Sequence, residues 1–152
     1  MSSNNDDIAI LNRLIEVTID SAEGYGEAAK DARNPELKAI FQRRVDERMA
    51  AFHSLQSQVT ALGGQPEDEG TLLASMHRAF VNLRATVQSG DLSVVDEVER
   101  GEDRIKAKYD DAIRSGELSA SSLAAVEQAY ESVRSGHDEM SQLKHSLHRL
   151  HG

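Results

Sequence analysis

The sequence predicts an all-α protein, an antiparallel bundle of four long helices with one additional short helix as a connection. Three observations carry this. Apolar residues recur at steps of three and four over long stretches, the stripe by which a helix packs on other helices, and no stretch alternates as a strand does. Only two prolines occur, Pro35 and Pro66, so few helix interiors are broken. The 152 residues, 39% of them apolar, suit one domain with a sizeable core, built from Leu, Ile, Val, Ala and Met because aromatics are few.

The first helix is expected from about Asp7 to Ala32, with Asn5 or Asp6 as N-cap. Its stripe is Ile8, Leu11, Ile15, Thr18, Ala22, Tyr25 and Ala29. Gly24 and Gly26 interrupt it, each costing about 1 kcal/mol against alanine, and imply close helix packing or a local bulge. Arg33-Asn34-Pro35 is a short turn, with Asn34 as N-cap and Pro35 at the first helical position of a second helix. That helix runs to about Leu62 and stops at Gly63-Gly64, on a stripe of Leu37, Phe41, Arg44/Val45, Arg48, Phe52, Leu55, Val59 and Leu62. So short a turn makes the first two helices an antiparallel hairpin.

A polar loop from Gly64 to Gly70 leads to a shorter helix, about Thr71 to Gln88, with Leu72, Met76, Phe80, Leu83 and Val87 inward. Ser93 followed by Asp96 resembles a capping box and starts the next helix, which ends near Ser115-Gly116. Its stripe is Val95, Val98, Glu102, Ile105, Tyr109 and Ala112. The last helix spans about Ser119 to Leu150 on Val126, Tyr130, Val133, His137, Met140 and Leu147. The short third helix then stands where a crossover joins two hairpins; five helices in up-down order is the alternative.

Charge and composition narrow the partners. The formal charge is −9, whereas a nucleic-acid surface needs clustered Lys and Arg, and an anionic membrane is disfavoured for the same reason. No apolar run approaches the ~20 residues of a membrane span, and the first residues carry neither the basic nor the apolar region of a signal peptide. Cysteine is absent, which removes disulfides and thiolate metal sites and fits a reducing compartment. The expected location is the cytoplasm. Exposed apolar residues on the third or last helix would suit a second copy of the chain as partner, a homodimer.

The chemistry concentrates at Asp96-Glu97-Val98-Glu99-Arg100-Gly101-Glu102-Asp103. Glu102 takes a stripe position where an apolar residue is expected, and an unpaired buried charge is very costly. Counting from the turns puts Glu23, Glu47, Glu99, Glu102 and His137 at middle depth. Inward carboxylates and His from facing helices are the ligand set of a carboxylate-bridged iron or manganese site. The usual Glu-x-x-His signature of such sites is nowhere in the chain; Glu99-x-x-Glu102 and a single His137 stand instead. Arg44 and Arg48 point to the same layer, and a guanidinium fork pairs with carboxylate in competition with a metal. The favoured alternative is therefore a buried ion network of Arg44, Arg48 and Glu102, with Tyr130 reaching Glu102, that sets helix register. His145, His148 and His151, stepping by three at the end of the chain, are an adventitious chelating set for Zn or Ni, and His77 is a surface or packing residue.

Several segments together resemble a known family: Glu23-Gly24-Tyr25, Asn34-Pro35-Glu36-Leu37-Lys38, Leu62-Gly63-Gly64-Gln65-Pro66, Leu73-x-x-x-His77-Arg78 and Glu99-Arg100-Gly101-Glu102-Asp103. They are similar to bacterial ferritin-like four-helix-bundle proteins of unknown function (domain of unknown function 2383). The resemblance spans roughly Ile8 to Ile113, and His137 fits the family's C-terminal extension. It implies a rubrerythrin- and ferritin-related bundle in the bacterial cytoplasm, with a link to stress and no assigned activity. It does not imply a di-iron centre, because both Glu-x-x-His pairs are missing.

Overall fold

The computed structural model describes residues 4–66 and 90–151. The helices are α1 (Asn4–Asp31), α2 (Pro35–Ala61), α3 (Gly90–Arg114) and α4 (Ala120–His151). The short helix expected over about Thr71 to Gln88, with Met76 and His77, lies outside the described residues.

Each helix packs on two neighbours: α1 on α2 and α3, α4 on α2 and α3. The pairs α1/α4 and α2/α3 therefore lie across the diagonals. Contacts at the helix ends fix the directions. Asp91, at the start of α3, accepts hydrogen bonds from the backbone of Arg33 (2.7 Å) and Asn34 (3.1 Å), at the end of α1. Asp7, near the start of α1, accepts from the backbone N–H of Ser119 just before α4 (3.2 Å). The end of α2 returns to the start of α1, where the Asn12 side chain donates to the Gln65 carbonyl at 3.2 Å. All four packed pairs are thus antiparallel, while α2 ends and α3 begins at opposite ends of the bundle. Only one long crossover satisfies that order, the topology of ferritin-like folds.

Local sequence explains the boundaries. Asn34 is extended (φ −74°, ψ 123°), its side chain accepts from Glu36 N at 2.8 Å, and Pro35 opens α2 where no donor is needed. The helix closes at Gly63, whose φ of +83° is a left-handed conformation that glycine adopts without strain. Gly63 and Gly64 then donate back to Thr60 and Val59, each at 3.0 Å. At α3 the expected capping box does not mark the start: the helix begins at Gly90, and Ser93 and Asp96 lie inside it. Asp91 caps the neighbouring turn instead.

The buried face of α1 follows the predicted stripe from Leu11 to Ala29, with Asp7, Leu14, Ile19 and Ala28 added and Ile8 only half-buried, and the helix is uninterrupted through Gly24 and Gly26. A β-carbon at Gly26 would meet nothing within 4 Å, so close packing is not the reason for that glycine. The seam of α4 differs from the expected one. It runs through Ser122, Val126, Ala129, Val133 and Met140, with Gly136 also buried, leaving Tyr130 and His137 half-buried beside it.

The core falls into two apolar clusters. One gathers Leu11, Ile15, Phe52, Leu55, Val126 and Val133 with their neighbours. The other gathers Tyr25, Ala28, Leu37, Phe41, Val95 and Met140. Between them lies a layer of polar side chains.

Candidate functional site

That layer is built around Arg48 of α2 and Glu102 of α3, which face each other across the bundle diagonal. Arg48 Nη2 donates to Glu102 Oε2 at 2.7 Å, and the two side chains are 0% and 2% exposed. Diagonal helices stand too far apart for short side chains to meet, so a long one must cross the centre. The other two helices make room for it. From α1, Ser21 Oγ accepts from Arg48 Nη1 at 2.8 Å and donates to Glu102 Oε1 at 3.5 Å. From α4, the Ser132 carbonyl accepts from Arg48 Nη2 at 3.4 Å, and Gly136 presents no side chain at all. A β-carbon at Gly136 would overlap Arg48 Nη2, and would lie 2.8 Å from Glu102 Oε2 and 3.3 Å from the Tyr25 oxygen.

Tyr25 closes the layer from α1. Its ring lies under the guanidinium, 5.5 Å from Arg48 Cζ to the ring centroid, a cation–π arrangement. Burial and then the Glu102 charge push its hydroxyl pKa well above the ordinary 10.0. The hydroxyl makes no hydrogen bond of good geometry among the described residues, and neither do Arg48 Nε and Ser132 Oγ. The layer is thus charge-balanced but incompletely bonded, which limits its net stabilisation.

Arg44, one turn away on α2, forms a second knot nearer the surface. Its Nε donates to Glu139 at 2.9 Å, its Nη1 to Glu47 at 2.6 Å, and its Nη2 to the backbone and side chain of Ser135. Burial works against its charge, but the hydrogen bond and charge of Glu139, with Glu47, outweigh that and hold its pKa above the usual value. Arg43 adds a second contact to Glu139 at 2.9 Å.

The expected site residues therefore separate. Glu102 is paired with Arg48, and Glu47 is engaged by Arg44 at the edge of the bundle. Glu23 is half-buried on α1. Tyr130 does not reach Glu102: it lies beside the α4 seam, stacked on Tyr109 at 6.3 Å, with its hydroxyl on Asp110 and Lys106. The ring that packs against the ion pair is that of Tyr25, through its face on Arg48. The spacing of the sequence placed both tyrosines on seams; only the small residues of α4, which carry no apolar signal, shift its seam and turn Tyr130 aside.

Glu99 and His137 do come together. With Asp103 they form the one group of three among the described residues whose donor atoms converge, all within 4.8 Å of one another. His137 Nε2 lies 2.7 Å from Asp103 Oδ1, and its Nδ1 lies 3.4 Å from Asp138 Oδ1. Lys144 contacts Glu99 at 3.3 Å. In the C-terminal histidine set, His148 pairs with Asp96 at 3.0 Å and His145 is exposed. The side chain of His151 lies outside the described residues.

Two residues gained roles that periodicity does not reveal. Asp7 is fully buried at the N-terminus of α4, where it also accepts from the Ser119 hydroxyl. Its carboxylate faces the positive end of that helix. Thr18 pairs with the buried Tyr109 hydroxyl at 2.5 Å, and burial pushes the Tyr109 pKa up to about 12.

Comparison with known proteins agrees with this architecture. Residues 6–115 match the family model described as a domain of unknown function, DUF2383. The structure of Dps from Thermosynechococcus elongatus superposes with a TM-score of 0.72 over 91% of this chain and 90% of that one. At 14% identity, that likeness concerns the fold alone. No curated protein matches the sequence. A ferritin-like four-helix bundle by its topology, the chain belongs to the DUF2383 family.

Proposed function

We propose that this chain is a non-catalytic ferritin-like bundle, a small bacterial cytoplasmic protein in which an internal ion pair takes the place of a carboxylate-bridged metal centre. One observation carries this reading: the Arg48 guanidinium lies at the middle of the bundle and neutralises Glu102, the one carboxylate of α3 directed at the centre of the polar layer. A dinuclear iron or manganese centre uses inward carboxylates and histidines from all four helices. Here the centre is occupied by a fixed cation and by Ser21, Ser132 and Gly136, none of which supplies a carboxylate or imidazole. Kinship with the ferritin-like family supports a stress-related role. The charge of −9 argues against nucleic acid as partner, and no helix among the described residues is long and apolar enough to cross a membrane.

The test combines metal content with oxidation chemistry. Protein from cells grown with added iron and manganese is expected to lack a two-ion centre. It should oxidise Fe(II) with dioxygen or peroxide no faster than buffer does. Two ions per chain that are lost on Glu102→Gln, or Fe(II) oxidation that depends on Glu102, would overturn the proposal.

A further inference from the structure

The stretch that supplies Glu102 to the centre turns a different set of groups toward α4. Glu99 and Asp103 are four residues apart, so both carboxylates stand on one face of α3, one turn apart. His137 approaches from α4. We propose that Glu99, Asp103 and His137 form a mononuclear site for a divalent cation, bound by two carboxylate oxygens and one imidazole nitrogen between α3 and α4. This does not rest on the non-catalytic reading of the bundle centre, because none of the three contacts the Arg48–Glu102 pair.

The geometry supports the assignment. Donors about 2.1 Å from one ion lie about 3.0 Å apart when adjacent in an octahedral shell and about 3.4 Å in a tetrahedral one. His137 Nε2 and Asp103 Oδ1 are already at 2.7 Å, and all three donors fall within 4.8 Å. Binding would draw the Glu99 oxygen in from within 4.8 Å of the other two donors. Exposure is graded in a useful way: Glu99 is 12% exposed at its side chain, His137 22% and Asp103 56%. The site therefore has an anchored floor and an open side, through which a hydrated cation enters and on which waters complete the shell.

The second ring nitrogen of His137 lies beside the Asp138 carboxylate at 3.4 Å. A carboxylate behind a ligating histidine fixes its tautomer and raises its basicity. Lys144, 3.3 Å from Glu99, occupies that carboxylate now and would be displaced on binding. Two oxygens and one imidazole suit ions of borderline hardness, so Zn(II) and Mn(II) are the probes.

The competing account is a histidine hydrogen-bonded between Asp103 and Asp138 with no affinity for metal, and the experiment separates the two. Calorimetric titration with Zn(II), and separately Mn(II), uses the chain carrying His145→Ala, His148→Ala and His151→Ala, which removes the C-terminal histidines. One ion per chain is expected. His137→Ala should weaken binding at least about 100-fold, Asp103→Asn at least about 10-fold, and Asp138→Asn about 10-fold through the ring orientation alone. Lys144→Met should tighten binding, because it removes the competitor for Glu99. Imidazole nitrogen NMR of the parent supplies a readout independent of any variant's folding: Zn(II) should move His137 Nε2 and leave His53 in place. Absence of saturable binding up to about 1 mM, binding unchanged by His137→Ala, or an unshifted His137 resonance would each overturn the site.

Discussion

Replacing Glu102 with glutamine tests the physical core of the structure. The substitution keeps the shape and an acceptor oxygen but removes the charge, leaving Arg48 buried at 0% exposure. Removing one partner of a buried pair costs about 3–5 kcal/mol. Three contacts soften this: Ser21 Oγ at 2.8 Å, the Ser132 carbonyl at 3.4 Å and the face of Tyr25 at 5.5 Å. The amide oxygen can also still accept from the guanidinium, a hydrogen bond whose donor keeps its charge while the acceptor loses its own. We therefore expect a loss of about 3 kcal/mol. With a urea m-value of about 2–3 kcal/mol per molar, the unfolding midpoint falls by about 1–1.5 M. The assay is urea unfolding followed by far-ultraviolet circular dichroism, with chelator present so that metal plays no part. A midpoint within about 0.25 M of the parent, or a loss seen only when metal is added, would refute the reasoning. The double variant Arg48→Met/Glu102→Leu removes both charges and should recover most of the lost stability, as apolar replacements of buried pairs do.

Other expectations follow from the same packing. Gly136→Ala should destabilise by about 1–3 kcal/mol in urea unfolding, because its methyl meets an arginine that cannot move aside; Gly101→Ala, with nothing within 4 Å, should stabilise by about 0.5–1 kcal/mol. Asp7→Ala should cost about 2 kcal/mol by the same measurement, from a lost cap and an uncompensated helix end, while Asp7→Asn should keep much of it. Tyr109, followed by tyrosinate absorbance in a Tyr25→Phe/Tyr130→Phe chain, should stay protonated well past pH 10 and ionise near its pKa of about 12 or on unfolding. Its raised pKa favours the protonated folded state, so that contribution is full below the ordinary value of 10.0 and is lost as pH rises through about 12. Ionisation near pH 10 in the folded chain would contradict the buried Thr18–Tyr109 pair.

The four described helices and their depth were legible because large apolar residues mark a packed face and turns set the level. Glu102 stood out for the same reason: a carboxylate in a stripe of Val95, Ile105 and Tyr109 is a visible exception, and so is Arg48 between Phe41 and Phe52. Rotational detail was not legible. On α4 the seam passes through Ser122, Ala129 and Gly136, small residues that a hydrophobic pattern registers weakly, so the periodicity puts Tyr130 and His137 one position further inward than they lie. The caps supplied by Asp7 and Asp91 were equally hidden. Each binds backbone groups far along the chain, at Ser119 and at Arg33–Asn34, and local capping patterns contain no information about such pairs.

These small residues explain why the ion pair is where it is. A square bundle brings side chains from neighbouring helices together easily, and from diagonal helices only through its centre. Arg48 can cross that centre because α1 and α4 offer serine and glycine at its level, and it can remain there because Glu102 meets it. Any shift of α2 against α3 by one helical turn would move the guanidinium about 5.4 Å from its partner and into one of the two apolar clusters. The pair thus discriminates between registers that apolar packing alone would tolerate. That also divides the work of Glu99-Arg100-Gly101-Glu102-Asp103: one carboxylate fixes the interior, and its neighbours on either side are left to the groups of α4, Lys144 with Glu99 and His137 with Asp103.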